Sequence, residues 1–473
     1  MAQKILIRGG RVLDPAAQRD EIADVRIEDG RIAAVGRDLS ADGAAVIEAG
    51  GCWVAPGFID LHVHLREPGQ EYKEDIASGG RAAVAGGFSA VVCMANTHPV
   101  NDDPSVTEYI LDRARQESPA RVYPVGAATR GLAGEVMTEM AALVDAGCVA
   151  LSDDGKTIMD SGVMRRVLEY SRMARVPIIT HAEDRTLVRE GVVNEGPVST
   201  RLGLPGNPAV AEVVHVARDI TLAELTGAHL HVGHVSTAGA VDLIRAARER
   251  GVHVTAEVTP HHLTLTDEAT SGYDTNTKMA PPLRSEQDVA ACRAGLADGA
   301  IDAIATDHAP HAVHEKDVEF TAAPPGVLGL ETAVPVTLDL VRREVLSPLE
   351  WVRRLATNPA RIIHRPGGSL EVGAPADVVI VDPERRWTYD PAKGWSKSRN
   401  SPWAGQEMIG RAVATVVGGA LVYDVERGVL LPGARCERSP SPRRSRSRTA
   451  RSTGVAPSAP RASSRARSAS TRA

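Results

Sequence analysis

Apolar positions along the chain follow two regimes. Over residues 1–55, short runs in KILIRGGRVLD, ADVRIEDGRIAAVG and AAVIEAGGCWVAP are broken by Gly or Asp where a hairpin would turn. The same punctuation returns late, in GSLEVGAPADVVIVD and RAVATVVGGALVYD. Both ends therefore read as strands of one small β-sandwich. Between them, longer apolar runs alternate with helical stretches, which argues for parallel βα units. Eight strands are predicted in order: GFIDLHVHL, FSAVVCMAN, RVYPVGAA, CVALSDD, VPIITHAE, HLHVGHV, VHVTAEVTP and IDAIATD. Helical patterns follow most of them, such as SGVMRRVLEYSRMAR after the fourth and TAGAVDLIRAARERG after the sixth, the latter with Gly just past its end. The prediction is an α/β fold, a (β/α)8 TIM-like barrel with a small β-sandwich domain. The expected parts are 1–55 (sandwich), 56–365 (barrel), 366–430 (sandwich) and 431–473 (tail).

A chain of 473 residues, 43% of them hydrophobic, has enough apolar material for such a barrel and a companion domain. Five scattered cysteines without a CxxC pair suggest neither a disulfide framework nor a thiolate metal site, so a reducing cytoplasm is expected. No run is long and apolar enough for a membrane span or a secretion signal, so a soluble protein is expected.

The net charge of -6 hides an asymmetry, because eleven Arg stand against the single Glu437 from Arg435 onward. That tail, with runs such as SPSPRRSRSR, holds almost nothing that could enter a core and is expected to be disordered. It lacks the interleaved aromatics of a base-stacking arm, so nucleic acid is not an expected partner. A solvated extension, or an out-of-frame translation of GC-rich sequence, is the simpler reading.

Chemistry-bearing residues concentrate at the predicted strand ends, where a barrel of this kind places its site. His62 and His64 lie two apart on the first strand, so both point to the same side. Asp154 ends strand four, His181 strand five, His234 strand six and Asp307 strand eight. Four imidazoles and two carboxylates suit two zinc ions, with one carboxylate bridging them. A single buried His is more often a hydrogen-bonded core residue, but six such residues converging on one mouth favour metal. His261 and His262 follow strand seven and are read as supporting or packing residues.

In this order, HVHLREPG, MANTHP, SDDGK, THAED, GHVS, PPLR and ATDHAPH resemble the motif series of type I dihydroorotases in the amidohydrolase superfamily. The likeness spans nearly all of residues 1–430. It implies that His62, His64 and Asp307 bind one zinc, that His181 and His234 bind the other, and that Asp154 bridges both. Many relatives in the wider superfamily bridge instead with a carboxylated lysine, which makes Lys156 a rival; Asp153 is then a neighbouring support. The implied activity is reversible hydrolysis of dihydroorotate to N-carbamoyl-aspartate in pyrimidine synthesis. Two cations sharing a water would lower its pKa and polarise the carbonyl, while Asp307 would take a proton and deliver it to the departing ring nitrogen.

The substrate's carboxylate calls for a cation, and the guanidinium of Arg66 matches it bidentately. The resemblance adds His64, Leu65, Asn96 and His311 to the substrate contacts. Three departures from the family pattern stand out: Ala280 replaces the usual Asn before PPLR, Pro325 precedes Gly326 where Phe-Gly is common, and MANTHP carries Ala95 and His98 in place of MPNTNP. Ala280, Pro325 and Gly326 stay in the expected substrate wall, through backbone contacts. Rival readings are an allantoinase or a hydantoinase and dihydropyrimidinase type of cyclic amidase, and an inactive scaffold subunit for aspartate transcarbamoylase. That transcarbamoylase and a second copy of the chain are the macromolecular partners the resemblance admits.

Overall fold

The computed structural model describes residues 4–430; the expected disorder of 431–473 lies outside them. Eight parallel strands form the barrel sheet: Phe58–Val63, Phe88–Cys93, Arg121–Gly126, Ala150–Ser152, Ile178–Thr180, Leu230–Val232, Val254–Val258 and Ala303–Ile304, neighbouring in sequence order. All eight fall inside the runs read from sequence. They are legible because a parallel strand is buried on both faces and so reads as continuous apolar sequence. In Phe88–Cys93, Ala90 and Val92 join a cluster with Ile59, Val125, Ile179 and Ala303. Val91 and Cys93 belong instead to the larger cluster that includes Ile110, Val167, Ile220 and Ile244 of the surrounding helices.

The helices show why their stripes were readable. Ser161–Ala174 buries Val163, Met164, Val167, Leu168 and Ser171, and Asp160 caps it by accepting from Val163 N–H. Ala238–Glu249 buries Ala240, Val241, Ile244 and Ala247 behind the Thr237 cap.

The first and last strands meet through a bridge between Val63 and His308, with His64 N–H donating to His308 O at 2.9 Å. Asp60 reinforces this seam by accepting from Thr306 N–H at 3.0 Å and from Thr306 Oγ1 at 2.6 Å.

The two chain ends share one nine-stranded sheet, joined where Val378–Thr388 runs antiparallel to Trp53–Pro56. Arg19–Glu28 and Arg31–Gly36 form a hairpin whose two turn residues, Asp29 and Gly30, have φ of 51° and 74°, the left-handed pair that a two-residue turn needs. Val378 and Ile380 pack with Ile5, Ile7, Val25, Ile27 and Val54. Val379 and Val381 join the large cluster that also holds barrel residues. The strand thus binds the sheet to the barrel, which explains its unbroken VVIV run. No helix among the described residues is long and apolar enough to cross a membrane. Cys52, Cys93, Cys148 and Cys292 are free thiols.

Candidate active site

His62 ends the first strand's inward course and His64 follows it, so their two-residue spacing brings both rings to one place. Asp154, just beyond the fourth strand, sits among four imidazoles. Its Oδ1 lies 3.3 Å from His62 Nε2 and 3.5 Å from both His181 Nδ1 and His234 Nε2. Its Oδ2 lies 3.6 Å from His64 Nε2. Asp307 Oδ1 approaches His64 Nε2 at 3.0 Å and His62 Nε2 at 3.7 Å. Two groups of ligand atoms, His62–His64–Asp154 and Asp154–His181–His234, each lie within 4.8 Å of one another, and Asp154 belongs to both. All six residues are nine-tenths or more buried.

This arrangement fits a cation on grounds independent of motif. His62 Nε2 and Asp154 Oδ1 are buried without a hydrogen-bond partner. The nitrogens His181 Nδ1 and His234 Nε2 face each other at 2.8 Å. An unpaired buried polar atom costs about 1–3 kcal/mol, which coordination would remove. Burial pushes the pKa of Asp154 and Asp307 upward, yet the surrounding histidines outweigh it and hold both below the usual carboxylate range. Burial likewise opposes a charge on His181, but Asp154 and Glu183 raise that ring to about 10. A field that holds protons on these nitrogens also draws metal cations to them.

The ring nitrogens pointing away from the cluster are held as well. His64 Nδ1 lies 2.9 Å from Asn96 Oδ1, and His62 Nδ1 lies 2.7 Å from Glu257 Oε1. Glu183 Oε2 lies 3.6 Å from His181 Nε2, and its Oε1 accepts from Asn207 Nδ2 at 2.6 Å. Asp153 faces elsewhere, accepting from Thr129 N–H at 2.8 Å and from the Thr129 hydroxyl. Lys156 is exposed, so it does not compete with Asp154 for the central position. Arg66, His234 and Asp307 hold left-handed φ of 62°, 32° and 48°, a backbone cost that the surrounding packing must sustain.

A cavity of about 270 Å³ opens onto the cluster and is lined by His64, Arg66, Asn96, Ala280, His311, Pro325 and Gly326 among others. Arg66 Nε donates to Pro310 O at 3.2 Å, and its Nη2 lies 3.4 Å from His311 Nε2. His311 Nε2 is only 2.8 Å from Pro325 O, which fixes a proton on that nitrogen, while the buried Nδ1 has no hydrogen-bond partner. Burial, with the charges of Arg66, Lys73 and Lys316, pushes His311 down to about 3, so the ring is neutral. Gly326 has φ of 142°, and a Cβ there would meet Ala309 at 2.8 Å. Its N–H donates to Lys278 O and its carbonyl accepts from Asn400, so the backbone at Pro325 and Gly326 already has partners within the protein. Leu65 is not in the cavity wall; its side chain joins the large hydrophobic cluster.

Sequence reasoning had not found Glu257, Glu183 or Asn207. The signal for Glu257 was a carboxylate in the middle of an apolar strand run. His261 Nε2 is buried without a partner, and burial lowers that ring to about 4. His262 is tied to Thr259 Oγ1 at 2.8 Å and Pro281 O at 3.1 Å, the supporting place expected of it.

Comparison with known proteins agrees with this geometry. Residues 51–240 match the family described as Dihydro-orotase-like. The chain is 56% identical over 420 residues to a dihydroorotase of Syntrophotalea carbinolica, covering 89% of this chain and 99% of the relative. It is also 56% identical over 427 residues to a dihydroorotase of Anaeromyxobacter dehalogenans, covering 90% and 99%. Among solved structures it resembles the L-hydantoinase (dihydropyrimidinase) of Arthrobacter aurescens, with a TM-score of 0.81 at 25% identity over 91% of this chain and 98% of that one. The dihydropyrimidinase of Brevibacillus agri gives 0.79 at 25% identity, over 90% and 96%. Identity to the dihydroorotases is twice that to the hydantoinases, and the chain belongs to the dihydroorotase family of the amidohydrolase superfamily.

Proposed function

We propose that this chain is a dihydroorotase that hydrolyses the ring amide of dihydroorotate to N-carbamoyl-aspartate, and closes it again, with two zinc ions held around Asp154. His62, His64 and Asp307 would hold one ion, and His181 and His234 the other. When bound, the ions would supply an acidified water and polarise the carbonyl under attack. The observation that carries the reading is the shared cavity: the guanidinium of Arg66 lines the same 270 Å³ space as the His–Asp cluster. A cyclic amide with a carboxylate outside its ring needs both features at once.

The chain's own residues account for the remaining chemistry. Asp307 is held ionised by its histidine neighbours, so it accepts the proton of the attacking water and then hands it to the ring nitrogen as the carbon–nitrogen bond breaks. In ring closure the same carboxylate takes that proton from the nitrogen. Arg66 binds the substrate carboxylate with two parallel N–H groups. With Asn96 Oδ1 committed to His64, the Asn96 Nδ2 donors are left for the same anion. His311 borders the same cavity beside Arg66 and would complete the substrate contacts. Ala280 supplies a methyl wall, and Leu65 contributes through its backbone alone. Pro325 and Gly326 shape the wall, their backbone groups being engaged elsewhere. A small-molecule substrate, a second copy of the chain and aspartate transcarbamoylase make up the proposed partners, in a cytoplasmic setting.

The test compares turnover of dihydroorotate, allantoin and dihydrouracil by zinc-loaded protein, with and without chelator. Dihydroorotate turned over fastest, and loss of turnover on chelation, are expected. Faster allantoin hydrolysis, or chelator-resistant activity, refutes the assignment. Protein that takes up no zinc and turns over nothing supports the scaffold reading instead.

A further inference from the structure

Behind His62 a line of polar side chains runs from the cluster toward the opposite end of the barrel. His62 Nδ1 lies 2.7 Å from Glu257 Oε1, and Glu257 Oε2 lies 3.1 Å from His231 Nε2. His231 Nδ1 lies 2.8 Å from Thr255 Oγ1, and the same hydroxyl lies 2.8 Å from His229 Nε2. The line follows from strand register. Strands Leu230–Val232 and Val254–Val258 are parallel with His231 opposite Thr255, so 229 and 231 on one strand meet 255 and 257 on the other. His62, His231 and Glu257 are at most 1% exposed, so no solvent shares the bonds among these three, while Thr255 is half-buried.

Hydrogen bonds of this kind have a direction, and here one end sets it. A neutral imidazole carries one N–H, and a cation at His62 Nε2 needs the lone pair there, so the proton sits on Nδ1 and is donated to Glu257. Glu257 as a carboxylate only accepts, so His231 must donate through Nε2–H. His231 Nδ1 is then a lone pair, and the Thr255 hydroxyl spends its single hydrogen on it. The oxygen of Thr255 in turn accepts His229 Nε2–H. His229 Nδ1 is left bare, in agreement with its having no hydrogen-bond partner. Burial, with the neighbouring His253, His231 and His364, pushes His229 down to about 3, which keeps that ring neutral. With His231 neutral, reversing any link would set a lone pair against a lone pair, or put a proton on His62 Nε2.

We propose that Glu257, His231, Thr255 and His229 are positioning residues that lock His62 in its Nδ1–H tautomer, and so set how tightly the His62–His64 half of the centre holds its cation. The proposal rests on the metal-centre reading above. It gives a purpose to two histidines and a threonine that never touch substrate. It also explains why a carboxylate occupies the interior of strand seven.

The experiment measures zinc dissociation by competition with a chromophoric chelator in the wild type, Glu257→Gln, Thr255→Val and Thr255→Ser. It also records histidine ¹⁵N spectra of zinc-loaded protein. Glu257→Gln is expected to weaken one zinc by about 10–100-fold, the usual effect of losing a ligand's outer partner. Thr255→Val, with its hydroxyl gone, is expected to weaken the same zinc by about 2–10-fold, and Thr255→Ser to restore it. Turnover of both weakened variants should recover in excess zinc, which a misfolded variant would not do. The spectra should show His62 protonated at Nδ1 and His231 at Nε2. A His231 protonated at Nδ1, or a Thr255→Val protein with unchanged zinc affinity, overturns the proposal while leaving the wild-type activity in place. A wild type that binds no zinc overturns both this proposal and the metal reading beneath it.

Discussion

The barrel mouth and the sheet made by the two chain ends are both buried, but by opposite means. In the sheet, Ile5, Ile7, Val25, Ile27, Val54, Val378 and Ile380 bury hydrocarbon against hydrocarbon. In the mouth, His62, His64, Asp154, His181, His234 and Asp307 bury groups that water would solvate well. Apolar burial stabilises whatever the occupant, provided the volume is filled. Polar burial is favourable only when every lone pair and charge has a partner, and in the mouth a cation would be that partner. Stability and function are therefore housed in different regions, and a substitution should affect one without the other.

The largest separation is expected at Asp307→Asn, which should lower turnover by about 10²–10⁴-fold in steady-state assays. Thermal unfolding of the cation-free variant should fall only slightly below that of the cation-free parent, because the histidines that hold Asp307 ionised offset the desolvation of its charge. A clear loss of stability would break the comparison. Its counterpart in the sheet is Ile380→Ala, which should cost about 2–5 kcal/mol in denaturant unfolding with kcat and KM of the folded protein unchanged. A kinetic effect there would mean that the sheet tunes the site.

Arg66→Lys sharpens the division within the mouth itself. It keeps the charge but loses the two-pronged geometry, so KM for dihydroorotate should rise by about 10-fold with a smaller change in kcat. An unchanged KM would remove Arg66 from substrate binding.

A more gradual effect is a pH slope that only polar burial can produce. Lys316 is 7% exposed and donates to Pro324 O at 2.8 Å, and burial lowers its pKa from 10.5 to about 7. Between pH 7 and 10.5 the unfolded chain binds a proton at this lysine that the folded chain does not. Stability therefore rises with pH across that window, by up to about 1.4 kcal/mol per unit, and the contribution is absent below pH 7. Comparing denaturant midpoints of wild type and Lys316→Met at pH 7 and 9 should show the wild type gaining relative to the variant. Parallel pH dependence in the two proteins would show that this amine stays charged in the folded state.

The same contrast explains what could be read from sequence. All eight barrel strands were legible, because strands such as Phe58–Val63 and Phe88–Cys93 are buried at every position and so carry mostly apolar sequence, interrupted only at Asp60, His62 and Ser89. The six residues of the cluster were legible because strand ends point their chemistry at one mouth. Glu257 was not, since its role depends on which residue of another strand it meets, and His62 lies 195 positions away. The wall at Pro325 and Gly326 was equally opaque. Its shape is set by tertiary bonds from Lys278, Lys316 and Asn400, none of which leaves a periodic trace. Leu65 was assigned to the substrate by motif, whereas local packing turns its side chain into the core.

The seam at Asp60 and Thr306 governs when this protein can begin to work. His62 and His64 are made early in synthesis and Asp307 late, and they become neighbours only once the eighth strand docks beside the first. A nascent chain on the ribosome thus lacks Asp307 from the proposed set of ligands until the ring of strands is shut. Metal loading should accordingly mark the end of maturation rather than guide its early stages.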